Sequence, residues 1–236
     1  MKLYTGTSGY AYKEWKGSFY PEKIKNDDML PFYASHFKSC EINNTFYRMP
    51  ADNVLDQWKA QVPPDFRFVL KASQQITHFK RLKEESKEPL EYFAAKALLL
   101  GEQMGAVLIQ LPPNMKCDVA RLAAFLDFMP ASLRPAFEFR HASWFDDEVF
   151  DLLRSKNACL CVADTDDEQT PHVATVPSWG YLRLRRVEYT EADLMRFVEF
   201  AKDQSWEECY VFFKHEDAGT GPRLAKEFEE LFGMMR

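Results

Sequence analysis

Charged and amide residues recur at one kind of position in this chain, the last residues of short apolar runs. Glu138-Phe139-Arg140 ends one run and Glu41-Ile42-Asn43 another, while Lys71, Gln110, Asp164, Arg183 and Lys214 close five more. Side chains alternate along an extended strand, so residues two apart share a face. Phe137 and Phe139 therefore point one way, and Glu138 and Arg140 the other. Charges do not sit well against an apolar layer, which puts Glu138 and Arg140 on an interior, polar side. The same alternation places Glu41 and Asn43 inside, Lys71 with Val69, Gln110 with Leu108, Asp164 with Val162, Arg183 with Tyr181, and Lys214 with Phe212. The chemistry on offer is anion binding combined with proton transfer. Arg140 and Arg183 can fork onto a phosphate or carboxylate, Lys71 and Lys214 can add point charges, and Gln110 and Asn43 can hydrogen-bond substrate. Glu138 and Glu41 are the candidate proton-transfer groups, Asp164 an orienter, and His141 a proton shuttle with an ordinary pKa near neutrality.

Seven such ends must be gathered by a scaffold, and the spacing of the runs says which. Eight runs occur, at Lys2–Thr7, Ser39–Asn43, Arg67–Lys71, Ala106–Leu111, Pro135–Arg140, Ala158–Asp164, Gly180–Arg185 and Cys209–Lys214. Their starts lie roughly 30 residues apart, the length of one strand-plus-helix unit, and eight units predict a TIM-type (β/α)8 barrel with its chemistry at the mouth formed by the strand ends. Between the runs, Leu90, Phe93, Ala94, Ala97 and Leu98 follow helical spacing, as do Leu122, Phe125, Leu126 and Met129 after Asp118, and Leu224, Phe228, Leu231 and Phe232. Thr190 with Asp193 has the form of a capping box ahead of Leu194, Phe197, Val198 and Ala201. Asp146 opens a further helix. The sixth crossover, Thr165–Ser178, has no apolar stripe and predicts a loop or a degenerate helix. Two long strand-to-helix connections, Ser8–Asn26 and Ala72–Glu88, fall on the mouth side, where long ordered loops are usually functional. No linker divides the 236 residues, so they read as a single domain, 1–236.

The net charge of −6 argues against broad basic patches for nucleic acid, though a local cationic pocket is compatible with it. The five cysteines are Cys40, Cys117, Cys159, Cys161 and Cys209. Their odd number, mostly within apolar runs and without CxxC, fits a reducing cytoplasm and no structural zinc. No run approaches the length of a membrane span.

At these residues the chain resembles the YecE-like family, also called domain of unknown function 72. The match is carried by Thr7-Ser8-Gly9-Tyr10 with Trp15, by Glu41-Ile42-Asn43-Asn44-Thr45-Phe46-Tyr47, Lys71, Thr77-His78 and Gln110-Leu111-Pro112-Pro113, and by Phe137-Glu138-Phe139-Arg140-His141 with Trp144 and Asp164. It covers essentially the whole chain. The resemblance implies a TIM-type barrel and no established activity, and it adds Thr7, Tyr10, Tyr47 and His78 to the candidate ligand-binding residues. Two strand ends depart from the family pattern. Arg183-Leu184-Arg185-Arg186 stands where Arg-Leu-His-Gly is usual, and Phe212-Phe213-Lys214-His215-Glu216 where a Tyr-Phe-Asn-Asn string is usual.

The favoured reading is a cytoplasmic barrel enzyme acting on a small anionic compound, phosphorylated or sugar-like, with no cofactor. Aromatic residues in the mouth-side loops, including Tyr12, Trp15, Phe46 and Trp144, either stack on a ring-shaped ligand or pack the rim. A metal-dependent phosphodiesterase, nuclease-like or isomerase-like barrel is the alternative, with Glu41, Glu138, Asp164, His215 and Glu216 as its ligands. Cations on four strand ends disfavour a dication. Covalent catalysis by Lys71 or Lys214 and a non-enzymatic ligand sensor are further alternatives. Oligomeric state is not readable.

Overall fold

The eight runs become eight parallel strands in the computed structural model, which describes residues 1–167 and 169–235. They are β1 (Lys2–Thr7), β2 (Ser39–Ile42), β3 (Arg67–Lys71), β4 (Met104–Gln110), β5 (Pro135–Glu138), β6 (Cys159–Asp164), β7 (Trp179–Leu184) and β8 (Glu208–Phe213). The sheet order β1-β8-β7-β6-β5-β4-β3-β2 closes the barrel except at one seam. Around it run α1 (Asn26–Ala34), α2 (Asp52–Gln61), α3 (Lys87–Ala97), α4 (Val119–Asp127), α5 (Asp147–Ser155), α6 (Glu191–Lys202) and α7 (Thr220–Met234). Helix starts follow the local chemistry. Asp118 and Asp146 cap α4 and α5 through their side chains, and Thr190 and Asp193 form the capping box of α6. Among the described residues, no helix joins β6 to β7, in line with the missing apolar stripe. No helix of the described residues is long and apolar enough to cross a membrane.

At the seam, β1 and β2 share only the Ser8–Glu41 bridge in place of a ladder. The Tyr33 hydroxyl, from α1, fills the gap: it accepts from the Thr7 amide at 2.7 Å and donates to the Ser39 carbonyl at 3.0 Å. Gly6 permits this approach. A Cβ there would lie 2.0 Å from the Ser39 oxygen and 2.6 Å from the Tyr33 hydroxyl.

The apolar interior splits in two, as barrel geometry requires. One cluster packs the helices on the outer strand faces, with Val162, Leu182, Val211 and Phe213 among its members. The other fills the lumen with Tyr4, Val69, Leu108, Cys161, Ala163, Tyr181, Tyr210 and Phe212, among others. Tyr4 stacks on Tyr210 at 5.0 Å and Tyr181 packs on Phe212 at 5.4 Å, so an aromatic plug floors the polar end of the lumen.

Membership of these clusters corrects one expectation. Cys161 and Ala163 face the lumen while Val162 faces outward, so Asp164 also points outward. It is buried there against Arg186, with 3.0 Å between Oδ2 and Nε. Among the described residues no helix joins β6 to β7, and the loop after β7 supplies the countercharge.

Candidate functional site

Above the aromatic plug, Arg183 on β7 reaches across the lumen and organises a buried network. Its Nε and Nη2 donate to Glu41 at 2.9–3.0 Å, and its Nη1 donates to Glu138 Oε2 at 3.1 Å. Glu41 also accepts from Ser8 Oγ at 2.6 Å and Asn43 Nδ2 at 3.2 Å on Oε1, and from the Tyr181 hydroxyl at 2.5 Å on Oε2. Glu138 Oε1 accepts from Gln110 Nε2 and from Arg185 Nη2, both at 2.7 Å. Gln110 Oε1 in turn accepts from Lys71 Nζ at 2.8 Å. Thus β1, β2, β3, β4, β5 and β7 are joined by one hydrogen-bonded chain at the mouth end of the barrel.

The electrostatics follow from that pairing. Burial alone would push the Glu41 carboxyl up, but the Arg183 guanidinium and its hydrogen bonds outweigh it and hold the group down at about 2. Glu138 behaves likewise: burial opposes ionisation, and Arg183 with Arg185 overrides it, leaving the pKa below the ordinary value. Both carboxylates are fixed charges with their oxygens already engaged. Lys71 is different. Burial, with Arg183 adding repulsion, brings its ammonium down to about 8. Its Nζ lies 4.5 Å from the Phe46 ring centroid, and the Thr45 hydroxyl ties its backbone carbonyl at 2.7 Å. His78 meets the same ring edge-on at 4.9 Å, with Thr77 Oγ1 2.8 Å from its Nδ1. Burial and the neighbouring cations Lys71, Arg81 and Arg140 keep its imidazole below the usual histidine range.

Beside the network opens a cavity of about 280 Å³ lined by Glu138, Arg140, Arg185, Phe145, Thr165 and Thr170 among others. A smaller one of about 200 Å³ lies over the seam, against Ser8, Tyr10, Tyr12, Asn43, Asn44 and Trp58.

Of the residues singled out in the sequence, Glu41, Asn43, Lys71, Gln110, Glu138 and Arg183 come together in the network, and Arg140 lines its cavity. Tyr10 borders the smaller cavity and His78 flanks Lys71 through Phe46. Others are elsewhere. Asp164 points out of the lumen, and Thr7 lies in the seam against Tyr33. His141 caps a short turn, its Nδ1 accepting from the Ser143 amide, and is better placed to hold that turn than to shuttle protons. Tyr47 is 72% exposed in a groove between α2 and α3. Lys214 is on the rim, 3.8 Å from Glu216. Trp15 and Trp144 are fully buried and pack the rim, Trp144 stacked on Phe139 at 4.7 Å. Sequence reasoning missed Ser8 and Arg185 as network members. Alternation would have found both: Arg185 shares the face of Arg183 two residues on, and Ser8 shares the lumen face of Tyr4 and Gly6. Among the described residues, no three His, Cys, Asp or Glu side chains gather as metal ligands.

Comparison with known proteins agrees with this architecture. The family model for "Protein of unknown function DUF72" matches residues 4–236. The UPF0759 protein YunF of Bacillus subtilis (strain 168) is 28% identical over 157 residues, 63% of this chain and 54% of YunF. The UPF0759 protein YecE of Escherichia coli (strain K12) is 31% identical over 117 residues, 49% of this chain and 43% of YecE. The chain spans about half the length of these curated relatives. A crystal structure of a DUF72 family protein from Thermotoga maritima MSB8 superposes with a TM-score of 0.86 at 29% identity, covering 99% of this chain and 100% of that one. D-psicose 3-epimerase from Clostridium cellulolyticum H10, solved with D-tagatose, aligns at a TM-score of 0.56 and 13% identity over 99% of this chain and 97% of its own, a likeness of fold alone. A match across nearly the whole length, with the barrel in common, makes this chain a member of the DUF72 family.

Proposed function

We propose that this barrel binds a small anionic compound, phosphorylated or sugar-like, at its C-terminal mouth and acts on it by proton transfer without a metal. The observation that carries the reading is the arrangement of charge at the 280 Å³ cavity. Glu138 has both oxygens committed to Arg183, Arg185 and Gln110, while Arg185 and Arg140 stand at the cavity wall. Burial above all lowers the pKa of the Arg185 guanidinium, with Arg183 and Arg140 adding to it and Glu138 opposing. A phosphate or carboxylate in the cavity would supply further negative charge and can accept from guanidinium N–H groups at that wall.

The roles then divide. Glu41 and Glu138, held ionised, anchor the cations and are poor proton donors. Lys71, brought down to about 8, is the group placed to exchange protons near neutral pH, while burial and the neighbouring cations lower His78 and favour its neutral imidazole as a proton acceptor. Gln110 presents its amide oxygen to Lys71, and Asn43 its amide to Glu41.

Calorimetric titration with inorganic phosphate, glucose 6-phosphate, fructose 6-phosphate and the two unphosphorylated sugars tests the reading. Phosphorylated compounds should bind and neutral sugars should not, and Arg185→Met and Arg140→Met should each weaken binding about tenfold or more, as loss of a charge-assisted pair does. Equal binding of the neutral sugars, or variants that bind like the parent, would sink it.

A further inference from the structure

We propose that Lys71 is a nucleophile, and that the barrel captures an aldehyde or ketone bearing a phosphate or carboxylate as an imine on Lys71 Nζ. This rests on the anion-binding reading of the mouth and adds the substrate's second functional group.

The surroundings of Nζ carry the argument. Some lysines of this chain meet carboxylates: Lys38 with Asp65, Lys156 with Asp127, Lys96 with Asp52. Lys71, half-buried, has no such partner among the described residues. The acids whose charges reach it, Glu41 and Glu138, are clamped by Arg183 and Arg185. What Nζ does contact is an amide oxygen, Gln110 Oε1, and an aromatic face, Phe46. Arg183 and Lys214 add repulsion from the β7 and β8 ends. The hydrogen bond to Gln110 and the Phe46 face both suit an ammonium, but neither is a countercharge, and burial with the like charges of Arg183 and Lys214 favours the neutral amine that can attack. Near a pKa of about 8, about a tenth of the amine is free base at neutral pH. Gln110, itself fixed by Glu138, aims the nitrogen. His78, close by on Phe46, is available to move protons.

The step balances without any further reactant. The Nζ lone pair forms a C–N bond to the carbonyl carbon, and the C=O π pair moves to oxygen. A proton passes from nitrogen to that oxygen, giving a carbinolamine. Loss of the oxygen as water leaves the imine. Nothing is oxidised or reduced. Protonated, the imine acidifies the adjacent C–H bond, so isomerisation, epimerisation or carbon–carbon cleavage next to a carbonyl is the reaction class it would serve.

Pyridoxal 5′-phosphate, an aldehyde carrying a phosphate, is the probe. The intact protein is incubated with it at neutral pH and reduced with borohydride, and the modified lysines are mapped by mass spectrometry, with pyridoxal as the phosphate-free control. Lys71 should take up label about tenfold or more faster than exposed Lys38, since its lowered pKa enlarges the free-amine fraction by more than that. Inorganic phosphate should protect it, and pyridoxal should label it poorly. Lys71→Arg should lose that adduct, while mapping of the parent protein does not depend on how the variant folds. Label spread evenly over exposed lysines overturns the proposal. So does an unlabelled Lys71 in protein that calorimetry shows to bind phosphate, an outcome that leaves the anion site standing. A Lys71 labelled equally by pyridoxal and unprotected by phosphate keeps the nucleophile and removes the anion site.

Discussion

At the scale of the residue, Arg183 is the centre of the site. It is 1% exposed and pairs with two fully buried carboxylates, the second of which it shares with Arg185. A buried ion network adds little net stability compared with apolar packing, but removing one member leaves charge stranded. Arg183→Met should therefore cost about 3–5 kcal/mol in denaturant unfolding at neutral pH. The deficit should shrink as the pH falls, because Glu41 and Glu138 without their guanidinium are buried acids whose pKa values rise, and folding then favours the protonated forms. A deficit below 1 kcal/mol, or one that does not respond to pH, would show the network to be dispensable. Glu41, Asn43, Lys71, Gln110, Glu138 and Arg183 could be read from the sequence because each is the polar residue of an otherwise apolar strand end, whereas Ser8 and Arg185, just past theirs, were missed. The pairing within the network could not be read. Arg183 meets Glu41 and Glu138 across the lumen, between strands that do not neighbour each other, and alternation reports which way a side chain points and not how far it reaches.

Among the elements, the β1–β2 seam is the least regular joint in the barrel and lies directly below Ser8 and Glu41. Tyr33 stands in for ladder hydrogen bonds there. Tyr33→Phe should leave the buried Thr7 amide and Ser39 carbonyl unpaired and cost about 1–3 kcal/mol. Amide hydrogen exchange at Thr7 should accelerate with it. Gly6→Ala should be worse, since its methyl would overlap backbone, and should loosen the Glu41 contacts as well as the seam. If the Thr7 amide stays protected in Tyr33→Phe, some other group closes the barrel. Strand positions and helix caps were legible because alternation and capping are local rules, and Asp118, Asp146 and Thr190 behave as those rules require. Asp164 shows where such rules stop. The inference that a charge must face the lumen assumes an apolar layer outside, and among the described residues no helix joins β6 to β7, where Arg186 meets Asp164 instead. The seam was invisible for a similar reason: nothing in Lys2–Thr7 or Ser39–Ile42 says that a tyrosine from α1 will come between them.

For the molecule as a whole, an acidic chain buries Arg183 and gathers Lys71, Arg140 and Arg185 around the mouth of the barrel. Its response to acid should bear the mark of that arrangement. Glu41 titrates at about 2 in the folded protein against an ordinary value of 4.5, and Glu138 is shifted the same way. A carboxyl held down by folding contributes stability that is fully present above its unfolded pKa and is lost as pH falls through the folded one. The loss from Glu41 should therefore run from about pH 4.5 down to about pH 2 and amount to about 3 kcal/mol. Other paired carboxylates on the surface add to the same trend, so the parent curve alone does not isolate the site. Glu41→Gln does: it still accepts and donates hydrogen bonds but cannot titrate. Its unfolding free energy should be lower at neutral pH, and between pH 4.5 and 2 unfolding should take up about one proton fewer than in the parent. Parallel slopes in the two proteins would mean that Glu41 is not held ionised by Arg183. The division of roles at the mouth, fixed carboxylates beside a Lys71 of lowered pKa, would then have to be redrawn.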